Sequence, residues 1–293
     1  MKILLELGGI RFLFDSDCDI MVEDSVSPFF CSQKNVINVN ITLIHDFSNA
    51  PLPRSAMIGE DVLTEYYLEN GTPVCLSKAG QGRYFSCCVA SPDLRQLTCW
   101  LNFGPDSDVN TLGNILRMIP IRRILLMHGV LFIHASQISL GGTGILFSAP
   151  SQTGKTTQAN LWRRHRGAEL ICNDRTLTDG CLTYGYPVDG SAPVFSSKKC
   201  RLGAIVLLEQ APVNTVRLLS PRKALARLMP QLVLDVWDRD STAAAMDLLL
   251  RLMTRTPIYL LSCTPDEEAV RCLEQQLQKD GVITHENSSG PAL

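Results

Sequence analysis

Paired metal-binding cysteines are missing from this chain. It carries eleven cysteines, an odd number with no Cys-x-x-Cys among them, so neither a structural zinc module nor a disulfide framework is expected and most of the thiols read as buried and reduced. Long apolar runs are missing as well: none approaches the ~20 residues needed to cross a bilayer. The first residues, Met1 to Leu7, hold one lysine, are interrupted by Glu6 and offer no small-residue cleavage site, so the expectation is a cytoplasmic protein with no membrane association. An excess of one charge is also lacking. Lys and Arg number 27 against 29 Asp and Glu, for a net charge of −2, which argues against wholesale binding to nucleic acid or anionic lipid. There is no internal repeat and no low-complexity stretch.

What is present is enough apolar material, 45% of 293 residues, for one large core or two modest ones. Residues 1–105 read as a small β-rich domain: strands at 3–7 and 10–14 about Gly8-Gly9, one over 36–44, a hairpin turning at Asn70-Gly71, and two more strands at 83–90 and 97–103. No local motif says whether this part recognises a substrate, dimerises or covers an edge. Asp106-Ser107-Asp108 is placed to cap a helix that Pro120 ends, with a second helical piece to Met127, and this stretch reads as the linker. A strand over 130–138 carries His134, and Gly141 to Gly144 turn it into the next strand.

That strand leads into Ala149-Pro150-Ser151-Gln152-Thr153-Gly154-Lys155-Thr156-Thr157. An apolar strand (Ile145, Leu146, Phe147), a short loop and a helix starting near Lys155 follow in the order a phosphate-binding loop requires. Successive backbone N–H groups and the helix N-terminus supply donors without bulk. Lys155 adds a movable cation for the outer phosphates, and Thr156 a hydroxyl for Mg²⁺. The pattern's leading glycine is Ala149 here, which the loop accepts if φ stays negative at that position.

Downstream, a strand over 168–172 closes on Asn173-Asp174-Arg175, where nucleotide-binding sheets place a metal-organising or proton-accepting carboxylate. A hairpin about Asp179-Gly180 follows, then a turn-rich loop from Tyr184 to Ser191 that includes Asp189 and Gly190. A buried strand over 204–209 ends on Glu209. Ser220-Pro221 starts a helix expected to run to Asp235, a second helix covers 241–254, and a strand covers 258–262. Thr264-Pro265-Asp266-Glu267 reads as a capping box with Pro265 at the first helical position, opening a helix to Lys279. Residues 281–293 read as a flexible tail.

His134 before the loop, Ala149 to Thr156 as the loop and Asn173-Asp174-Arg175 after it resemble the catalytic domain of HPr kinase/phosphorylase and its relatives, among them kinases that phosphorylate hydroxyls in peptide natural-product pathways. The resemblance covers roughly residues 128–280 and says nothing about residues 1–105. It implies an α/β architecture, a P-loop kinase domain over 106–280 behind the β-rich domain. It also implies ATP and Mg²⁺ as cofactors, with Thr156 and Asp174 at the metal and Lys155, His134 and Asp174 as catalytic residues. The acceptor would be a hydroxyl of a peptide, a protein or a small molecule, with a homo-oligomer compatible with the family.

The family's pair of adjacent acids is Asn173-Asp174 here. Since Asn cannot take a proton at neutral pH, Asp174 must be the base, the metal-ordering ligand or both. The family's later acid- and glycine-containing signature is replaced by residues 184–190, which puts phosphorolysis and an HPr partner in doubt. Lys198, Lys199 and Arg201 would steady transferred phosphate or form a solvated basic turn. The competing reading is a nucleotide-binding regulatory module without phosphoryl transfer.

Overall fold

A computed structural model describes residues 1–32, 36–188 and 194–284. Asp189, Gly190 and Ser191 of the turn-rich loop, and residues 285–293 of the expected tail, lie outside the described residues. The molecule is mixed α/β and mostly sheet, in two compact units: Met1–His128 with Asp235–Thr242, and Gly129–Leu234 with Ala243–Leu293. The division falls at the end of the helical stretch read as the linker.

In the first unit β1 (Lys2–Leu7) and β2 (Ile10–Ser16) pair antiparallel about Gly8 and Gly9, whose φ of 60° and 80° are left-handed, a conformation that favours glycine. Ile10, Phe12 and Phe14 alternate inward along β2. The strands β3 (Val39–Ile44), β4 (Met57–Glu60), β5 (Thr64–Glu69), β6 (Thr72–Gly80), β7 (Arg83–Ala90) and β8 (Gln96–Leu101) complete an eight-stranded sheet in the order β1-β2-β3-β8-β7-β6-β5-β4. The β5–β6 turn is the expected Asn70-Gly71, both left-handed.

Two short helices, α1 (Leu112–Met118) and α2 (Ile121–Met127), flank Pro120. The cap of α1 is Thr111, whose hydroxyl accepts from the Asn114 N–H, and not the Asp106-Ser107-Asp108 cluster. That acidic run is spent in turns, so the helix begins later than its composition suggests. Arg122 of α2 forms ion pairs with Asp61 and with Asp235, the latter at 2.7 Å. Trp237 stacks on Tyr66 with centroids 4.7 Å apart, and it fills the space beside Gly59, where a Cβ would collide with its ring.

The second unit is built on β9 (Leu131–Leu140), β10 (Thr143–Ser148), α3 (Lys155–Arg166), β11 (Glu169–Cys172), β12 (Arg175–Thr178), β13 (Leu182–Tyr184), β14 (Lys199–Gln210), β15 (Thr215–Leu218), α4 (Pro221–Leu228), α5 (Arg239–Met253), β16 (Ile258–Cys263) and α6 (Glu267–Lys279). The first residues of α5 belong to the other unit. Strand β10 lies between β9, antiparallel, and β14, parallel, and β14 continues parallel to β16. At one end β12 and β13 pair with each other as well as with β9 and β14, so the sheet curls into a closed ring of β9, β12, β13, β14 and β10. Strand β10 is buried at every position, as a strand covered on both faces must be.

Two helix boundaries differ from expectation. Helix α4 stops at Leu228 and gives way to a single turn of 3-10 helix over Met229–Gln231, because Pro230 lacks the N–H that would continue it. Helix α6 is capped by Asp266, which accepts from the Ala269 N–H, so Pro265 lies before the cap and not at the first helical position.

Candidate functional site

The C-terminal ends of the three parallel strands β10, β14 and β16 meet at one edge of the second sheet, the place where open α/β sheets expose backbone groups to ligands. The segment Ala149 to Gly154 leaves β10 there and enters α3. Ala149 is buried and is not among the left-handed residues; that strain falls on Gln152 (φ 65°) and Gly154 (φ 117°) instead. Gly154 faces open space where a Cβ would stand, but its φ is one an L side chain rarely adopts. Left-handed non-glycine backbone such as that at Gln152 costs roughly 1 kcal/mol or more and tends to persist where surrounding structure imposes it.

Helix α3 docks through Lys155, Gln158, Ala159 and Trp162, the i, i+3, i+4, i+7 stripe of one face. Trp162 is fully buried, its ring 6.4 Å from that of Phe147 on β10. Lys155 shares this inward face. Its Nζ donates to the carbonyls of Ala149 (3.0 Å) and Pro150 (3.3 Å), and burial pulls its pKa down while the charge of Asp174 pushes it back up. The sequence places Lys155 on the loop; the structure makes it a buried ammonium. Thr156 is half-buried and Thr157 exposed in the same turn.

Because β9 runs antiparallel to β10, its start lies beside the end of β10: Ala135 is opposite Ser148, and the Ser148 hydroxyl donates to the His134 carbonyl at 2.8 Å. Strands β11 and β12 pair in succession with β9, so the Asn173-Asp174 step between them sits alongside His134. His134 Nε2 and Asp174 Oδ1 are 3.0 Å apart, both side chains partly exposed. The His134 hydrogen bond, helped by the charges of His134, Arg175 and Lys155, outweighs burial and holds the Asp174 carboxyl below the usual carboxylate range. Asp174 is therefore ionised at neutral pH.

Asn173 is turned differently. It is 4% exposed; the Ser136 hydroxyl donates to its backbone carbonyl at 2.6 Å and approaches its Oδ1 at 3.4 Å. Its Nδ2 has no partner among the described residues.

Beside the loop lies a cleft of about 590 Å³ lined by Gly154, Thr157, Gln158, Gln210, Cys263 and Pro265, among others. Gln158 Nε2 donates to Cys263 Sγ there at 3.3 Å, and its Oε1 is buried without a partner. On the loop's other flank Glu209, at the end of β14, accepts from Ser262 (2.6 Å) and Arg227 (3.0 Å), which lower its pKa in that order of effect.

The structure thus brings His134, Asp174, Lys155 and the 149–157 segment to one sheet edge. The basic run goes elsewhere. Lys198 pairs with Glu169, and Arg201 donates to Thr143 Oγ1 and the Val282 carbonyl. Thr143 begins β10, so these residues and Lys199, which starts β14, lie at the opposite end of the strands from the loop. Arg175, whose Nε is 3.7 Å from Asp174 Oδ2, and Arg227, which pairs with Glu209, add two cations to the site. Arg175 was visible as Asp174's neighbour in sequence, whereas nothing local marks Arg227.

No protein-family model matches the chain, and no curated protein matches it in sequence. Among the described residues no helix is long and apolar enough to cross a membrane.

Proposed function

We propose that the chain is a kinase that uses ATP with Mg²⁺ to phosphorylate a hydroxyl of a peptide, a protein or a small metabolite. The observation that carries this reading is the convergence of a buried lysine, a strained strand-to-helix loop and an ionised aspartate held by His134 at the carboxyl edge of one sheet. The resemblance of these same residues to the HPr kinase/phosphorylase catalytic domain, in the order His134, loop, Asp174, supports it.

The donor set suits the groups it would hold. Lys155 is a buried cation whose partners are two neutral carbonyls, and an anion entering the loop would replace those contacts with charge-assisted ones. The Thr156 hydroxyl and the Asp174 carboxylate are the hard oxygen donors that Mg²⁺ takes together with water and phosphate. Bound there, Mg²⁺ would neutralise charge on the outer phosphates. The loop and the α3 N-terminus orient the phosphates, and the adjoining cleft is within the size range of small-molecule sites, which suits a base and ribose.

An acceptor hydroxyl facing Asp174 finds an ionised oxygen to which it can donate, and His134 fixes the orientation of that carboxylate. A carboxylate of depressed pKa is a weak base. Asp174 therefore works mainly by aligning the nucleophile and ordering charge, taking the proton only as the new phosphate ester forms.

One observation favours a second reading, a nucleotide-binding module without transfer: the position of the family's other acid is a buried carboxamide turned toward Ser136. Incubation with γ-labelled ATP and hydroxyl-bearing peptides or metabolites separates the two. Because Lys155 is buried, Lys155→Met keeps its volume. The variant should fold as the parent does, by circular dichroism, and lose at least about 10²-fold in label transfer, as expected for removing a charged transition-state partner. Undiminished transfer in Lys155→Met, or no transfer by the parent to any hydroxyl acceptor, would overturn the kinase reading.

A further inference from the structure

The first unit contains a cluster unrelated to the phosphate loop. Parallel strands β2 and β3 end side by side, with Ser16 opposite Leu43, so the residues that follow them, Asp17-Cys18 and His45, are brought together although 27 positions separate Cys18 from His45. His45 Nδ1 lies 2.6 Å from Asp17 Oδ1 and 3.0 Å from Cys18 Sγ. All three ligand-type atoms fall within 4.8 Å of one another.

The arrangement is not a nucleophile with its base and orienter. In such a triad the thiol and the carboxylate engage opposite nitrogens of the imidazole, whereas here both face the same one. The other nitrogen is already committed. Nε2 is 3.1 Å from Asn110 Oδ1, and the Asn110 amide is fixed because its Nδ2 donates to the carbonyls of Asp19 and Pro105, each at 2.9 Å. Nε2 must therefore carry the proton that Asn110 accepts. The 2.6 Å contact between Nδ1 and Asp17 Oδ1 then holds a second proton between nitrogen and carboxyl, and a cation that displaces it meets the Nδ1 lone pair, the carboxylate and the sulfur together. An acceptor that binds the opposite nitrogen and sets the tautomer in this way is the usual companion of a metal-bound histidine.

The imidazole itself is nearly inaccessible, 5% exposed, and packs edge-on against Phe103 at 6.1 Å, while the Asp17 side chain is 48% exposed. One side of the cluster is rigid and buried, and the other is open for a cation to enter.

We propose that Asp17, Cys18 and His45 form a binding site for a borderline-soft divalent cation of the zinc class, with water in the fourth position. Thiolate, imidazole and carboxylate together select Zn²⁺ over Mg²⁺ or Ca²⁺. Zinc bond lengths at tetrahedral angles put ligand atoms about 3.4–3.6 Å apart, so the two contacts to His45 Nδ1 need to lengthen by less than about 1 Å. Asp17, exposed and held through its other oxygen by the His45 N–H at 2.9 Å, and the half-buried Cys18 are the residues that would shift. Binding breaks the Cys18 S–H bond and displaces the proton shared by Asp17 and His45; both protons leave to solvent, and the sulfur, nitrogen and carboxylate lone pairs go to the metal. The metal would staple the ends of β2 and β3 to the loop that carries Asn110. The spacing of these residues gives no Cys-x-x-Cys signature, because the site is assembled by strand pairing.

Cobalt(II) titration of the metal-stripped full chain tests this, because cobalt bound to a thiolate shows a near-ultraviolet charge-transfer band that Mg²⁺-type oxygen sites cannot give. We expect one equivalent of cobalt to produce that band together with intense four-coordinate visible bands, and Zn²⁺ to displace both. Cys18→Ser should abolish the charge-transfer band, whereas Cys181→Ser, which alters an exposed thiol elsewhere, should leave it unchanged. Asp17→Asn, at an exposed position, should retain the band but weaken affinity at least about tenfold, the lower bound for losing even an outer-shell partner. The proposal is overturned if the parent shows no thiolate band at saturating cobalt, if the band persists in Cys18→Ser, or if Asp17→Asn binds as tightly as the parent. Those outcomes would leave His45 and Asp17 as an ion pair only.

Discussion

At the scale of single residues, the two members of the Asn173-Asp174 step make opposite demands. Asp174 is partly exposed, ionised and held by His134, so Asp174→Asn removes charge with little change of shape. Transfer should fall by ~10²–10⁴-fold, the usual range for losing a positioned proton acceptor, while nucleotide affinity measured by calorimetry stays detectable. If affinity and turnover fell in parallel, the carboxylate would be serving nucleotide ordering alone. Asn173→Asp creates a pair of adjacent acids like that of HPr kinase/phosphorylases, but at a site 4% exposed. The new carboxylate would meet Ser136 as a donor, and its second oxygen would sit where Nδ2 now lacks a partner. We expect the variant to raise transfer and to lose about 1–3 kcal/mol of stability, the typical cost of a buried polar group poorly satisfied. Urea denaturation alongside a turnover assay reads both, and a variant no more active than the parent would show that one carboxylate suffices.

At the scale of elements, the loop's geometry depends on α3 being held against the sheet. Trp162 is the main anchor, fully buried against Phe147 at the far side of the same helical stripe as Lys155. Trp162→Ala should cost about 3–5 kcal/mol, lowering the urea midpoint. It should also weaken nucleotide binding although Trp162 lies about two helical turns beyond Lys155, because a helix that shifts carries Lys155 and Thr156 with it. Unchanged binding at reduced stability would mean that the loop keeps its shape without its helix. The elements were also where the sequence was most readable. Asn70-Gly71, Gly8-Gly9 and Asp179-Gly180 announced their hairpins through turn chemistry, and the start of α3 at Lys155 followed from the loop pattern. Strands β4 and β15 escaped notice because they are short sheet-edge strands without a buried alternation. The Asp106-Ser107-Asp108 and Pro265 signals misplaced two helix starts by a few residues, since a side chain able to cap a helix is equally able to stabilise a turn. Site membership was legible where residues are close in sequence, as with Lys155 and Thr156. It was not where strand pairing decides it: the ends of β14 bring Glu209 to the loop and send Arg201 to the other edge.

At the scale of the whole molecule, the two readings of the second unit differ in where a bound nucleotide should be felt. A kinase site needs the phosphates fixed at the 149–157 segment and the 134 and 173–174 strand ends, all of which belong to that unit. Binding to the folded state alone adds stability by mass action, about 2.7 kcal/mol at a ligand concentration 100 times Kd. ATP with Mg²⁺ should therefore raise the unfolding midpoint and slow amide exchange at those segments. Adenosine, lacking the phosphates that Lys155 and the loop engage, should give little of either effect. Amides of the first sheet, in β1 to β8, should be protected no further, since no step of phosphoryl transfer asks it to order. A regulatory module would respond in the reverse sense, its nucleotide acting as a signal that is read by ordering the β-rich unit for a partner. Hydrogen exchange resolved by segment, run with ATP and Mg²⁺ and again with adenosine, distinguishes the two. New protection spreading through β1 to β8 on ATP binding would turn the assignment from catalysis to regulation, and protection by adenosine equal to that by ATP would remove the phosphate loop from either account.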